Sequence, residues 1–188
     1  MSARATVSKL VTSSIAPLLR AAGFRKQALT LERRRGDVTQ IVNVQVSHGG
    51  SSFYVNVGLV FDAISALDAD ETGSIVLGKH VVHFGARLHE LVPGLPGEWE
   101  ASDAEAGDHL RRALEEVVTK LDCIDSTRAM LNAFVLDNGF EKLLRAQLKW
   151  TAGDRAGART DLEAVAREFA DRQGCGVKEL AERAGICT

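Results

Sequence analysis

His83 and Arg87, in the run His83-Phe84-Gly85-Ala86-Arg87, are the residue types most readily put to chemical work in this chain. A histidine exchanges a proton near neutral pH, and an arginine holds an anion. Together they read as an acid/base with an anion clamp. The spacing works against that reading. On an extended strand the two lie about 13 Å apart at roughly 3.3 Å per residue, too far for one small site unless the strand bulges at Gly85. Structural roles for both are the plainer interpretation.

Other chemistry-bearing patterns fail on their own terms. Gly73-Ser74-Ile75-Val76-Leu77-Gly78-Lys79-His80 fits G-x-x-x-x-G-K. A phosphate loop then needs Ser or Thr to ligate magnesium, and His80 stands there. Its interior is bulky, and a strand pattern follows where a helix N-terminus should face the anion. His80 and His83 fall on opposite faces of a strand, and His83 and His89 lie about 20 Å apart along one. A helical 80–89 would instead bring His80 and His83 together. Asp68, Asp70 and Glu71 lack the glycine spacing of a calcium loop. There is no G-x-S-x-G, and none of the cysteines has an activating neighbour pattern. No metal and no cofactor is implied.

The elements that would position a site come next. Val7, Leu10, Val11, Ile15, Leu18, Leu19 and Ala22 recur at helical spacing; Gly23 stops the helix, and Pro17 lies inside it as a kink point. Leu29 and Leu31 start a strand that ends at the turn Gly36-Asp37, and Arg33-Arg34-Arg35 reads as the solvated approach to that turn. Residues 38–47 and 52–61 are two further strands joined by His48-Gly49-Gly50-Ser51, and 80–88 is a fourth, with an end that could be helical. An irregular acidic segment lies between the third and the fourth. From Ser102 onward the pattern is helical. Ser102 and Glu105 form a capping box ahead of the stripe Leu110, Ala113, Leu114, Val117, Val118 and Leu121. Further helices are expected over 126–137, 140–152, 155–171 and 177–184.

The expected fold is α+β. An N-terminal helix packs on an antiparallel sheet of about four strands, and a helical C-terminal half follows. We expect one domain over 1–188. Residues 1–100 hold the helix and sheet, and 101–188 a helical extension ending in an αα-hairpin around Gly153-Asp154. That hairpin resembles half a tetratricopeptide unit, too little for a solenoid. The end of the chain resembles the first helix of a helix-turn-helix, with no recognition helix after it.

The two middle strands carry the most informative pattern. Side chains alternate faces along a strand. Val42, Val44 and Val46 share one face with Phe53, Val55, Val57, Leu59 and Phe61. The opposite face carries Asn43, Gln45 and Ser47 with Tyr54, Asn56 and Gly58. His83 and Arg87 extend it if the fourth strand pairs alongside. An amide-lined, uncharged face has two readings, both open at this stage. It is either an internal hydrogen-bond network or a surface for a protein or small-molecule partner. The candidate binding residues are Asn43, Gln45, Ser47, Asn56, His83, Arg87 and Trp99. The binding reading has the enzyme with His83 and Arg87 as its alternative.

The runs Gly23-Phe24-Arg25-Lys26, Val42-Asn43-Val44-Gln45-Val46-Ser47 and Phe53-Tyr54-Val55-Asn56-Val57-Gly58 resemble a bacterial family catalogued as domain of unknown function 4304, as do His83-Phe84-Gly85-Ala86-Arg87-Leu88 and Trp99. The likeness covers roughly residues 8–125 and lacks the aromatic expected near Leu31. It implies a bacterial origin and supplies no activity.

Composition bounds what remains. With 188 residues, 45% hydrophobic and 26% charged, the chain is an ordinary globular one. No stretch approaches the roughly 20 apolar residues of a membrane helix. Residues 1–58 hold eight basic and two acidic side chains and the remainder fifteen and twenty-three, a split of +6 and −8. The basic third lacks the clustered cations and interleaved aromatics of a nucleic-acid surface. No acid precedes Glu32, as in some transit peptides, but the apolar stripe running into a strand reads as an ordinary first helix. Cys123, Cys175 and Cys187 form no CxxC and leave an odd thiol, which points to a reducing, cytoplasmic setting. All three thiols are expected to be free. Thermal melts with and without strong reductant should superimpose; a large fall in melting temperature on reduction would reveal a disulfide and overturn the assignment.

Overall fold

The computed structural model describes residues 3–64, 75–134, 136, 139–173, 181–182 and 186. The chain opens with α1 (Ala3–Leu10), passes through a π-helical turn (Val11–Ile15) and continues as α2 (Ala16–Ala21). Pro17 explains the change of winding: it has no N–H for a bond to the preceding turn and its ring crowds that turn. The wider turn, closed by Ala16 N–H on the Val11 carbonyl, accommodates it. The helix then ends as the glycine pattern predicts. Gly23 adopts φ +88, its N–H binds the Arg20 carbonyl, and Phe24 N–H binds that of Leu19. These two hydrogen bonds satisfy carbonyls a bare helix end would leave open.

Three strands follow, β1 (Arg25–Gln27), β2 (Thr30–Arg35) and β3 (Val38–Val46), then β4 (Ser52–Phe61). After the hairpin strands β5 (Ile75–Leu77) and β6 (His80–Val82) come β7 (Phe84–Arg87), the one-turn α3 (Leu88–Leu91) and β8 (Trp99–Glu100). The main sheet has the order β1-β2-β3-β4-β7, with β8 also on β4, and every pairing is antiparallel. The helical half comprises α4 (Ala106–Asp122), α5 (Thr127–Ala133), α6 (Gly139–Thr151) and α7 (Arg155–Gln173). The fold is α+β, as expected.

The alternation in β3 and β4 does what its period demands. Val42, Val44, Phe53, Val55, Val57, Leu59 and Phe61 are buried against the N-terminal helix and α4. Leu110, Leu114, Val117 and Leu121 of α4 complete this core. A second apolar cluster lies between α6 and α7, where Arg145 grips the buried Asp161 with two hydrogen bonds of 3.0 and 2.9 Å.

Several expectations need correction. The run 80–88 is not one strand: β6 pairs with β5 and β7 with β4, and the break falls at His83. Its end is helical, as α3. β1, β5 and β8 span two or three residues each, too few for a periodic signal. Gly78-Lys79 is the turn of the β5–β6 hairpin, with Gly78 at φ +64. Ser102 caps nothing: α4 begins at Ala106, and Asp103 accepts the Glu105 N–H. Ser126 does cap α5 through Ala129 N–H. The acidic segment at Asp68, Asp70 and Glu71, and most of 177–184, lie outside the described residues.

The largest departure is Arg33. The run Arg33-Arg34-Arg35 is not a solvated approach, because β2 alternation turns Arg33 to the helix-covered face, where it is buried. Opposite it in register stands Gln40, also buried. Arg33 Nε donates to Gln40 Oε1 (2.8 Å) and Nη1 to the Ala22 carbonyl at the end of α2 (2.7 Å). Asp122 supplies the counter-charge at 2.8 Å. Gln40 Nε2 donates to the carbonyls of Leu121 and Ile124 at the end of α4, both at 2.7 Å. Two helix C-termini are thus tied to one cross-strand pair. Replacing Gln40 with Ala leaves the Ile124 carbonyl and the buried Arg33 Nε without this partner, while the Leu121 carbonyl keeps its bond from Ile124 N–H, and should cost about 2–4 kcal/mol. Val57→Ala, a truncation without polar consequences, should cost about 1–3 kcal/mol. Denaturant titration of both variants checks the ranking; a neutral Gln40→Ala would show that the link is dispensable.

Candidate functional site

The face of the sheet away from the helices is divided. At one end Ile41 and Val60 are covered by Leu77 and Val82 of the β5–β6 hairpin. Gly58 makes this possible, since a Cβ there would stand 2.7 Å from Leu77 Cδ1 and 2.8 Å from Val82 Cγ1. The hairpin turn is fastened to β2: Glu32 accepts from His80 (2.6 Å) and Lys79 (3.2 Å). The His80 hydrogen bond is the main reason the Glu32 carboxyl sits below the usual carboxylate range.

At the other end β3 outruns β2. The last β2–β3 pair is Thr30 with Asn43, and past it the chain turns away at Ala28-Leu29. An open groove of about 690 Å³ occupies the gap. Its walls come from three layers. Asn43, Gln45 and Ser47 belong to the sheet, Arg4 to α1, and Val76 to the hairpin. Val76 is 59% exposed, the one large hydrophobic so exposed among the described residues. Asn43 Nδ2 donates to Thr30 Oγ1 (2.8 Å), and Gln45 Oε1 accepts a long bond from Asn56 Nδ2 (3.4 Å). The Asn43 carbonyl oxygen and the Gln45 amide nitrogen keep their capacity for a partner.

The rest of the polar face forms a second cluster. Arg87 stands opposite Asn56 in register, and its guanidinium lies 4.0 Å from the centre of the Tyr54 ring. Glu98 accepts from the Ser52 hydroxyl, which in turn accepts from that of Ser47 at 2.9 Å. That contact, then one from Tyr54, holds the Glu98 carboxyl below its ordinary range.

The structure thus brings Asn43, Gln45 and Ser47 together in the groove and sets Asn56 and Arg87 beside it on the same face. Asn56 is 8% exposed and belongs to the interior of the network. Trp99 is elsewhere: β8 pairs it with Phe53 on the helix-covered face, where it is buried in the core. His83 is elsewhere as well. Its Nδ1 accepts the Phe61 N–H (3.0 Å), continuing the ladder of β4 past the end of β7. Its Nε2 is buried without a partner among the described residues. Thr30, Arg4 and Val76 were not singled out by spacing, because they arrive from other elements; Tyr54 and Ser52 share the parity of Asn56 and were legible in principle.

Among protein families, the one described as Domain of unknown function (DUF4304) matches residues 15–151. The chain belongs to this family. The match takes in the whole sheet and ends with α6, so α7 lies beyond it and Arg4 before it. No curated protein and no solved structure is similar to the chain.

Burial pushes the His83 pKa below its usual value. The fold therefore holds the neutral ring. That contribution is full above the unfolded pKa of about 6.5 and is lost as pH falls from there toward the lower folded value. Unfolding free energies measured between pH 8 and 5 should decline below about 6.5. His83→Gln, which retains an acceptor for Phe61, should flatten that decline; an unchanged slope would place the pH dependence elsewhere.

Proposed function

We propose that this chain is a binding module that holds a partner on the amide-lined end of its sheet, with Asn43, Gln45 and Ser47 as contact residues. The observation that carries the reading is the groove itself: a concave site where unspent amide capacity, a hydroxyl and an exposed valine converge. Binding sites combine apolar surface with a few such orienting polar groups. Asn56 and Arg87 serve the reading as support, fixing Gln45 and Tyr54 from behind. A reducing, cytoplasmic setting accords with the exposed free thiol of Cys123.

The alternative, a small enzyme with His83 as acid/base and Arg87 as anion clamp, lacks a comparable observation. Both His83 nitrogens are withdrawn from the groove, one in a backbone bond and one by burial. Arg87 is spread over Tyr54. A general base has to reach the proton it removes.

A fragment library of amides, short peptides and sugars, followed by the side-chain NH₂ resonances of Asn43 and Gln45, tests the proposal. Hits should shift those signals and lose affinity at least several-fold in Gln45→Ala. That variant gives up one long hydrogen bond from Asn56 on an otherwise exposed side chain and should lose no more than about 1 kcal/mol. Asn56→Ala should instead lose about 1–3 kcal/mol. Failure of every fragment to move Asn43 or Gln45 would overturn the proposal.

A further inference from the structure

We infer that the groove receives an extended segment of a partner polypeptide, which adds to the open edge of β3 at Val46 and places an acidic side chain near Arg4. The inference rests on the binding reading above and names the class of partner.

The strand geometry comes first. Along an antiparallel strand successive residues aim their N–H and C=O to opposite sides. Ser47 N–H binds Ser52 on the β4 side, and Val44 N–H binds the Leu29 carbonyl on the β2 side (both 2.9 Å). Val46 has the parity of Val44, so its N–H and C=O also aim to the β2 side. There β2 has already ended, because its pairing stops at Asn43. The main-chain groups of Val46 face into the groove rather than into a neighbouring strand.

The walls have the arrangement a missing strand would leave. Arg4 comes from the helix layer on one face of the sheet, and Val76 and Gly78 come from the hairpin layer on the other. The floor is strand edge. A segment seated there continues the line of β2, and its side chains alternate between the two layers, toward Arg4 and toward Val76 with Asn43 and Gln45. Strand addition of this kind draws affinity from main-chain hydrogen bonds and specificity from alternate side chains.

Charge selects among segments. The groove lining contains no acidic residue, and Arg4 is its one permanent charge. Among the described residues Arg4 has no ion-pair partner. An aspartate or glutamate on the helix-side parity meets that guanidinium; a lysine or arginine there meets a like charge.

An array of random heptapeptides is screened against the intact protein. Binders should be enriched in Asp or Glu, and N-methylation at one parity of their backbones should weaken them at least ten-fold while the other parity tolerates it. Amide exchange at Val46 should slow on binding. Val46→Pro removes an N–H that no ladder uses and should abolish binding with little change in stability; if it misfolds, the N-methyl series decides alone. Arg4→Ala should weaken acidic peptides several-fold at low salt and much less at high salt. Three results overturn the inference. One is no binding heptapeptide. Another is binders indifferent to N-methylation at either parity and to Val46 exchange. The third is concentration-dependent dimerisation abolished by Val46→Pro, which would make a second copy the occupant. If fragments still shift Asn43 and Gln45 in any of these cases, the binding module stands and only strand addition falls.

Discussion

Everything on the helix-covered side of the sheet hangs on the cross-strand pair Arg33–Gln40. A guanidinium in a core is costly unless its charge and donors are matched. Here Asp122 matches the charge, and Gln40 and the Ala22 carbonyl just past α2 match two of the donors. Gln40 then uses its own amide on the end of α4. Hydrophobic contact alone would let α2 and α4 slide over the valine-rich surface. Directional bonds to their C-termini fix where each helix stops, and the positive charge of Arg33 meets the negative end of each helix dipole.

That fixing has a consequence for the opposite face. With the register of β2 on β3 set at Arg33–Gln40, side-chain parity assigns Thr30, Asn43, Gln45, Tyr54 and Asn56 to the outer side. A shift by one residue would bury the amides and expose the valines. The outer face is then closed where it is apolar, by a hairpin that fits over Gly58, and left concave where it is polar. The groove is therefore a by-product of the same pairing that orders the core.

The long strands and the α4 stripe were legible because nine or ten residues of alternation, or five turns of helical spacing, leave little ambiguity. So was the composition of the amide-lined face. Short strands were not: β5, β6 and β7 have three or four residues each, and a break at one histidine separates the last two. Arg33 was misjudged for a different reason. Between two other arginines and ahead of a turn, its local context is that of solvated charge, and only partners 7, 11 and 89 residues away make burial tolerable. Trp99 follows a stretch rich in glycine and proline, and its two-residue strand gives no period from which to read a face. Arg4 reaches the groove from the helix layer and Glu98 the outer face from a distant segment, which spacing along the chain does not encode.

The open edge also bears on how the sheet avoids unwanted pairing. An exposed strand edge invites aggregation, and folds usually shorten or shield it. Here the unpaired stretch of β3 is confined to Val46, and it is recessed between Arg4 on one side and the hairpin on the other. The turn that creates the gap is strained: Ala28 sits at φ 53, a conformation that suits glycine better than alanine. A glycine would relieve that strain and would also loosen the rim of the groove. Alanine holds Leu29 where its carbonyl occupies Val44 N–H, so that the ladder ends one step before Val46. For the strand addition inferred above, a narrow edge flanked by a single cation would leave room for one short extended segment and not for a whole sheet.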